Sequence, residues 1–152
     1  MTLPTGQISM SQIAAELGIS ATGLNLNHGW VRALAGKPSG AIGFSDLHGQ
    51  SGRIDGSYPT QVAGGGKYIQ LNAPFFGATV SRLSFSGPAG QTSYTLEVSA
   101  GCRWNGNVSV RNNTTGGVIV LPWNGSLWSV ASGDGSLIRT STTDSFTFLP
   151  ST

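Results

Sequence analysis

From Lys67 onward the chain is built of short runs that alternate apolar and polar residues, each cut off by a turn-forming pair. Tyr94, Leu96 and Val98 alternate with Thr95, Glu97 and Ser99, and Val108 and Val110 alternate with Ser109 and Arg111. Leu83 and Phe85 alternate with Arg82 and Ser84, and Phe146 and Phe148 with Ser145 and Thr147. A period of two puts one face of an extended strand in a core and the other in solvent. The separators are turn chemistry: Gly87-Pro88-Ala89-Gly90, Asn105-Gly106, Asn112-Asn113, Gly116-Gly117, Asn124-Gly125 and Gly133-Asp134-Gly135. Strands are predicted over Tyr68–Leu71, Ala78–Phe85, Tyr94–Ala100, Val108–Arg111, Val118–Trp123, Leu127–Ala131, Leu137–Thr142 and Phe146–Leu149. So many short antiparallel strands predict a mainly β protein with a C-terminal, jelly-roll-like β-sandwich. Composition agrees. Gly contributes 23 of 152 residues and charged residues only 9%, against a usual level of about 25%.

The stretch Gly6–Gly49 has a different rhythm and repeats one small unit three times. Each copy has an apolar–polar–apolar run, a short polar residue, apolar residues at helical spacing, and a glycine. The copies are Ile8-Ser9-Met10-Ser11 with Ile13, Leu17 and Gly18; Leu24-Asn25-Leu26-Asn27 with Val31, Leu34 and Gly36; and Ile42-Gly43-Phe44-Ser45 with Leu47 and Gly49. The alternation predicts a strand, Ser11, Asn27 and Ser45 are the expected N-caps, and the glycines close each unit. Helices are predicted over Gln12–Leu17 and Trp30–Ala35, with at most one turn at Asp46–His48. These are too short to persist without tertiary contacts. The periodicity changes across Gln50–Tyr58, which predicts an N-terminal module at 1–51 and a sandwich at 52–152. Gly64-Gly65-Gly66 reads as a loop.

The net charge is +2, and the basic residues are scattered singly, the pattern of a solvated sheet face. No Lys/Arg run marks a nucleic-acid surface. A lone cysteine, Cys102, excludes an intrachain disulfide framework and a cysteine-based zinc site. The opening residues show no basic segment followed by an apolar one, and no stretch approaches the ~20 apolar residues of a membrane span. Folding in a cytoplasm, without membrane insertion, is expected.

Few residues suggest chemistry. His28 and His48 lack a third ligand at useful spacing, and turn or packing roles suit them better. Asp134, between two glycines, lacks the further acidic residues of a calcium loop and reads as a hairpin turn. No G-x-S-x-G elbow, carboxylate dyad or phosphate loop is present. The chain is not expected to be an enzyme or to carry a cofactor or metal. Trp104 and Trp123, each beside an Asn-Gly pair, are the candidates for stacking on a saccharide at a sandwich tip. Core or intersubunit packing is the competing reading.

The text Leu3-Pro4-Thr5-Gly6-Gln7-Ile8-Ser9-Met10-Ser11-Gln12-Ile13, Ala15-Glu16-Leu17-Gly18, Leu24-Asn25-Leu26-Asn27, Val31–Ile42 and Phe44-Ser45-Asp46-Leu47-His48-Gly49 resembles a module near the start of small tail or minor structural proteins of tailed bacteriophages. The resemblance covers about the first third of the chain and implies a structural role in the virion, with an anchor joined to a β-rich outer domain. It supplies no catalytic residues. The expected docking residues are Ile8, Met10, Ile13, Leu17, Leu24, Leu26, Trp30, Val31, Leu34, Ile42, Phe44 and Leu47. The expected partners are other virion proteins of the tail or capsid, further copies of the chain, and a host surface glycan. Assembly into the particle would take place in the bacterial cytoplasm.

Overall fold

The computed structural model describes residues 2–88 and 90–152. Among these residues, two short helices and a 3₁₀ turn precede nine strands in two antiparallel sheets. The helices are α1 (Met10–Leu17) and α2 (Gly29–Ala35), and the 3₁₀ turn spans Phe44–Leu47. The strands are β1 (Ile54–Pro59), β2 (Gln61–Ala63), β3 (Gly66–Phe75), β4 (Ala78–Ser86), β5 (Ser93–Val98), β6 (Asn107–Asn112), β7 (Val118–Leu121), β8 (Trp128–Ala131) and β9 (Thr143–Ser151). One sheet has the order β1-β9-β6-β7 and the other β2-β3-β4-β5-β8. The chain therefore starts in the first sheet and runs a four-strand meander in the second. It then alternates between the sheets, placing its last strand beside its first. Ala89, within the expected Gly87–Gly90 turn, and Met1 of the expected extended lead lie outside the described residues.

The expected mainly β architecture is present as two antiparallel sheets, with three local differences. Ile54–Pro59, expected as a boundary, is a strand; Gly56 stands where an apolar residue would have made the alternation visible. Gln61–Ala63 pairs with β3 across a Gly64-Gly65 turn. Leu137–Thr142, expected as a strand, is a turn held by side chains. Asp144, 1% exposed, accepts from Arg139 Nη2 at 2.6 Å and Nε at 3.0 Å, and from Asn112 Nδ2 at 2.8 Å. Asn112 Nδ2 also donates to the Leu137 carbonyl at 2.9 Å. These bonds take the place of a β-ladder, and the Arg139 guanidinium holds the Asp144 carboxyl below the usual carboxylate range.

No strand forms among the described residues before Ile54, which corrects the strand half of the three-unit repeat. The first alternation is a helix entry. Ser9, not Ser11, is the N-cap: its hydroxyl accepts from Gln12 N at 3.3 Å while Gln12 Oε1 accepts from Ser9 N at 2.8 Å. That reciprocal pair is a capping box, and buried Ile8 and Ile13 occupy the positions of a hydrophobic staple. His28, not Asn27, caps α2, its Nδ1 accepting from Trp30 N at 3.1 Å. Asn27 Oδ1 instead accepts from Arg32 Nε at 2.8 Å. In the third unit Asp46, not Ser45, ties the turn, accepting from Gly43 N at 2.9 Å. Gly18 and Gly36 close the helices with φ of 70° and 72°, as expected.

The N-terminal segment closes one end of the sandwich. Leu3, Ile8, Ile13, Leu17, Val31, Leu34 and Leu47 belong to the same buried apolar cluster as Ile54, Phe76, Trp104 and the inner faces of both sheets. The β3–β4 hairpin supplies the wedge. Phe76 and Gly77 both take positive φ, 48° and 83°, the hand of two-residue hairpin turns that match strand twist. Phe76 is completely buried and donates its N–H to the Ser51 carbonyl at 2.7 Å. Arg103 reaches across from the β5–β6 connection. Its Nε donates to the Ala33 carbonyl at 2.9 Å, and its Nη2 to the Leu34 carbonyl and Gln50 Oε1, each at 2.7 Å. A guanidinium suits the C-terminal carbonyls of α2 by charge as well as by hydrogen bonding. Far from sitting on a solvated sheet face, Arg103 clamps the two parts of the chain together.

Glu16 lies in the same contact and is completely buried. Its Oε2 accepts from Gly52 N at 2.8 Å, and among the described residues its Oε1 has no hydrogen-bond partner. Burial pushes its carboxyl above the usual range, outweighing the Gly52 N–H and the Arg53 charge that pull it down. An acid whose pKa is raised by folding costs stability once pH exceeds its unfolded value. Glu16→Gln keeps an acceptor for Gly52 and removes the buried charge. It is expected to raise the melting temperature at pH 7 and to lose that advantage below about pH 4, where both states are protonated. Melting curves at the two pH values test this; a lower melting temperature for the variant at pH 7 would show that the ionised form is favoured instead.

Candidate docking surface

Of the twelve apolar residues expected at a docking interface, six are consumed by the chain's own core. Ile13, Leu17, Val31, Leu34 and Leu47 are completely buried, and Ile8 is nearly so. Sequence spacing identifies positions that want burial, but it does not say whether the covering surface is the same chain or another. Here they join one buried cluster with Ile54, Phe76 and Trp104 of the same chain. The other six remain at the surface: Met10, Leu24, Leu26, Trp30 and Ile42 are half-buried against the core, and Phe44 is 39% exposed.

Leu24 and Trp30, with Ile19 and His28, line a shallow depression of about 410 Å³. Ser20, Thr22 and Gly23 complete its rim along with Thr152. Trp30 is firmly mounted. Its ring meets Trp104 edge-on at 4.9 Å and His28 at 6.2 Å. His28 Nδ1 accepts the Trp30 N–H, which fixes the imidazole as part of the lining. Floor and rim together offer an apolar surface with a few polar groups, suited to a protein side chain rather than to a charged ligand.

Trp104 is placed differently from the expected saccharide platform. It is 7% exposed, its Nε1 donates to the Asn107 carbonyl at 2.8 Å, and its ring packs on Phe76 at 5.3 Å. The adjacent Asn-Gly pair turns the backbone at the tip while the ring folds inward. Trp123 is half-buried and lines a second depression, about 370 Å³, with Val98, Ser99, Cys102 and Ser126. An unbroken run of aromatic contacts joins the two depressions through the core. It passes His28, Trp30, Trp104, Phe76, Phe75, Trp128 and Trp123, with successive centroid separations of 6.2, 4.9, 5.3, 4.8, 5.8 and 4.8 Å. Aromatic pairs in this range add to burial energy and fix ring orientation, so both surface tryptophans stand on a rigid column.

The remaining candidates have structural roles. Asp134 Oδ1 accepts from Ser136 N at 2.9 Å, and its carbonyl accepts from the Tyr94 hydroxyl at 2.8 Å, which makes Ser132–Ser136 a side-chain-stabilised turn. Among the described residues no group of three or more His, Cys, Asp or Glu is arranged to hold a metal ion. Burial pushes the Cys102 thiol up, away from the reactive thiolate. No protein-family model, curated protein or solved structure matches this chain.

Proposed function

We propose that this protein is a non-enzymatic structural component of a tailed-phage virion, most consistent with a tail position, and that it docks to other virion proteins through the surface of its N-terminal segment. The observation that carries the reading is the N-terminal text resembling the start of small phage tail and minor structural proteins, joined to what that segment leaves exposed. Once the core is filled, Leu24, Leu26, Trp30, Ile42 and Phe44 keep part of their apolar surface exposed, on a segment whose surface charges are Arg32 and the Lys37–Asp46 pair. Exposed apolar side chains flanked by a few charges suit attachment to another protein.

Leu24→Asp and Phe44→Asp leave the buried half of the segment intact. They are expected to give folded protein that is lost from purified particles by at least about tenfold, the effect of desolvating one charge in an apolar contact. Mass spectrometry of particles measures this, and wild-type incorporation of both variants would sink the proposal. Labelled-particle microscopy separates a tail component from a capsid decoration protein. A host-glycan-binding role is favoured by one observation, the half-exposed Trp123 ring beside Ser99 and Ser126. That role requires binding to host polysaccharide that disappears in Trp123→Ala, and wild-type protein that binds none would exclude it.

A further inference from the structure

We propose that β7 is a self-pairing edge: two copies of this chain join β7 to β7 antiparallel about a two-fold axis through Ile119, merging their four-stranded sheets into one of eight strands. This pairing does not depend on the virion reading.

The two sheets have four free edges among the described residues, and three carry a feature that discourages pairing. The β1 edge contains Asp55 and ends in Pro59; β2 has only three residues; β8 is covered by its own chain, since Ser129 N donates to the Pro122 carbonyl and Trp123 bridges to Trp128. Charge, proline, shortness and coverage are the usual devices. β7, Val118-Ile119-Val120-Leu121, is one residue longer than β2, holds neither charge nor proline, and no other segment among the described residues hydrogen-bonds the outer side of Val118 or Val120.

The ladder phase shows which backbone groups are free. β6 and β7 pair as Arg111↔Val118, Val110↔Ile119, Ser109↔Val120 and Val108↔Leu121. One step beyond, Asn112 N donates to the Gly117 carbonyl at 2.8 Å, which makes that pair a hydrogen-bonded one. Alternation then makes Ile119 and Leu121 the residues bonded to β6 and turns the N–H and C=O groups of Val118 and Val120 outward. The exposed side chains are those same two residues, Val118 at 51% and Val120 at 41%.

Val-Ile-Val reads the same in both directions, so an antiparallel second copy meets it in register. Each Val118 opposes the other copy's Val120, giving four hydrogen bonds and two Val–Val pairs on the outer face, the β-branched pairing that stabilises sheets. No charge opposes a like charge. Arg111, on β6 beside Val118, would face its counterpart across three strand spacings, about 14 Å, beyond the screening length of about 8–10 Å. Three paired residues bury far less than a standard interface of about 1,600 Å², so the expected product in solution is a concentration-dependent monomer–dimer equilibrium.

The test uses the full chain. Sedimentation velocity up to millimolar protein should show a dimer fraction that rises with concentration and is lost in Val120→Lys and Val120→Pro. The proline removes only an outward N–H, so β6 pairing should survive and the melting temperature should stay close to wild type. In a Cys102→Ser background, Ile119→Cys should oxidise to a disulfide dimer. Residue 119 would face itself at a non-hydrogen-bonded site with Cα atoms about 4.5 Å apart. Val118→Cys should not cross-link, because the two positions would lie about 8 Å apart, outside disulfide reach. A chain that stays monomeric throughout, a dimer indifferent to Val120→Lys, or equal cross-linking at 118 and 119 would each overturn the pairing. So would an assembled particle in which another protein's strand occupies β7.

Discussion

Phe76→Ala is expected to lower the stability of the whole chain by about 3–5 kcal/mol, the range for truncating a buried aromatic residue, and its melting temperature by about 10 °C or more. The ring has no exposure and stacks on both Phe75 and Trp104. A Cβ added at Gly52 would lie 3.2 Å from the Phe76 ring, 3.2 Å from Leu34 and 3.3 Å from Leu17, so these three side chains converge on that glycine. Removing the ring opens a cavity where strands β3 and β4 meet α1 and α2. Helical and sheet signals should therefore melt together, at the lower temperature. Retention of the wild-type midpoint would mean that Phe76 is not the wedge.

Arg103→Ala is the second large effect, expected at about 3 kcal/mol from the loss of charge-assisted hydrogen bonds to three acceptors. The carbonyls of Ala33 and Leu34 would lose a half-buried cation at the end of α2. Arg103→Lys should recover little of this, since an ammonium cannot reproduce the planar fork that reaches Ala33, Leu34 and Gln50 at once. Chemical denaturation of the three proteins measures both steps. Equal stability for the arginine and lysine forms would reduce the clamp to a point charge.

The sandwich was legible because alternation survives in most of its strands. Tyr94-Leu96, Val108-Val110 and Phe146-Phe148 point inward as their spacing predicted. Alternation failed where a glycine replaced an inward residue, as at Gly56. It also misled where buried Leu137 and Ile138 are held by the Asn112–Asp144 network instead of by a ladder. In the N-terminal segment two local signals mark the observed caps. Ser9-Met10-Ser11-Gln12 has the spacing of a capping box, and His28 directly precedes the first turn of α2. The Arg103 clamp had no local signal, because its partners lie 53 to 70 residues away. The same limit governs the candidate surface. The apolar stripe of Ile13, Leu17, Val31 and Leu34 announces burial, and only the three-dimensional arrangement shows that the chain buries these residues itself and leaves Leu24, Trp30 and Phe44 partly exposed.

The first 52 residues share one buried core with the two sheets instead of forming a separate anchor. Native-state hydrogen exchange on the full chain tests this directly by comparing amides of α1 and α2 with those of β4 and β6. A shared core predicts that the slowest amides of both groups open with the same free energy and the same denaturant dependence, and that Phe76→Ala lowers both equally. Helix amides that exchange through a separate, lower-energy opening while β4 and β6 stay protected would contradict it.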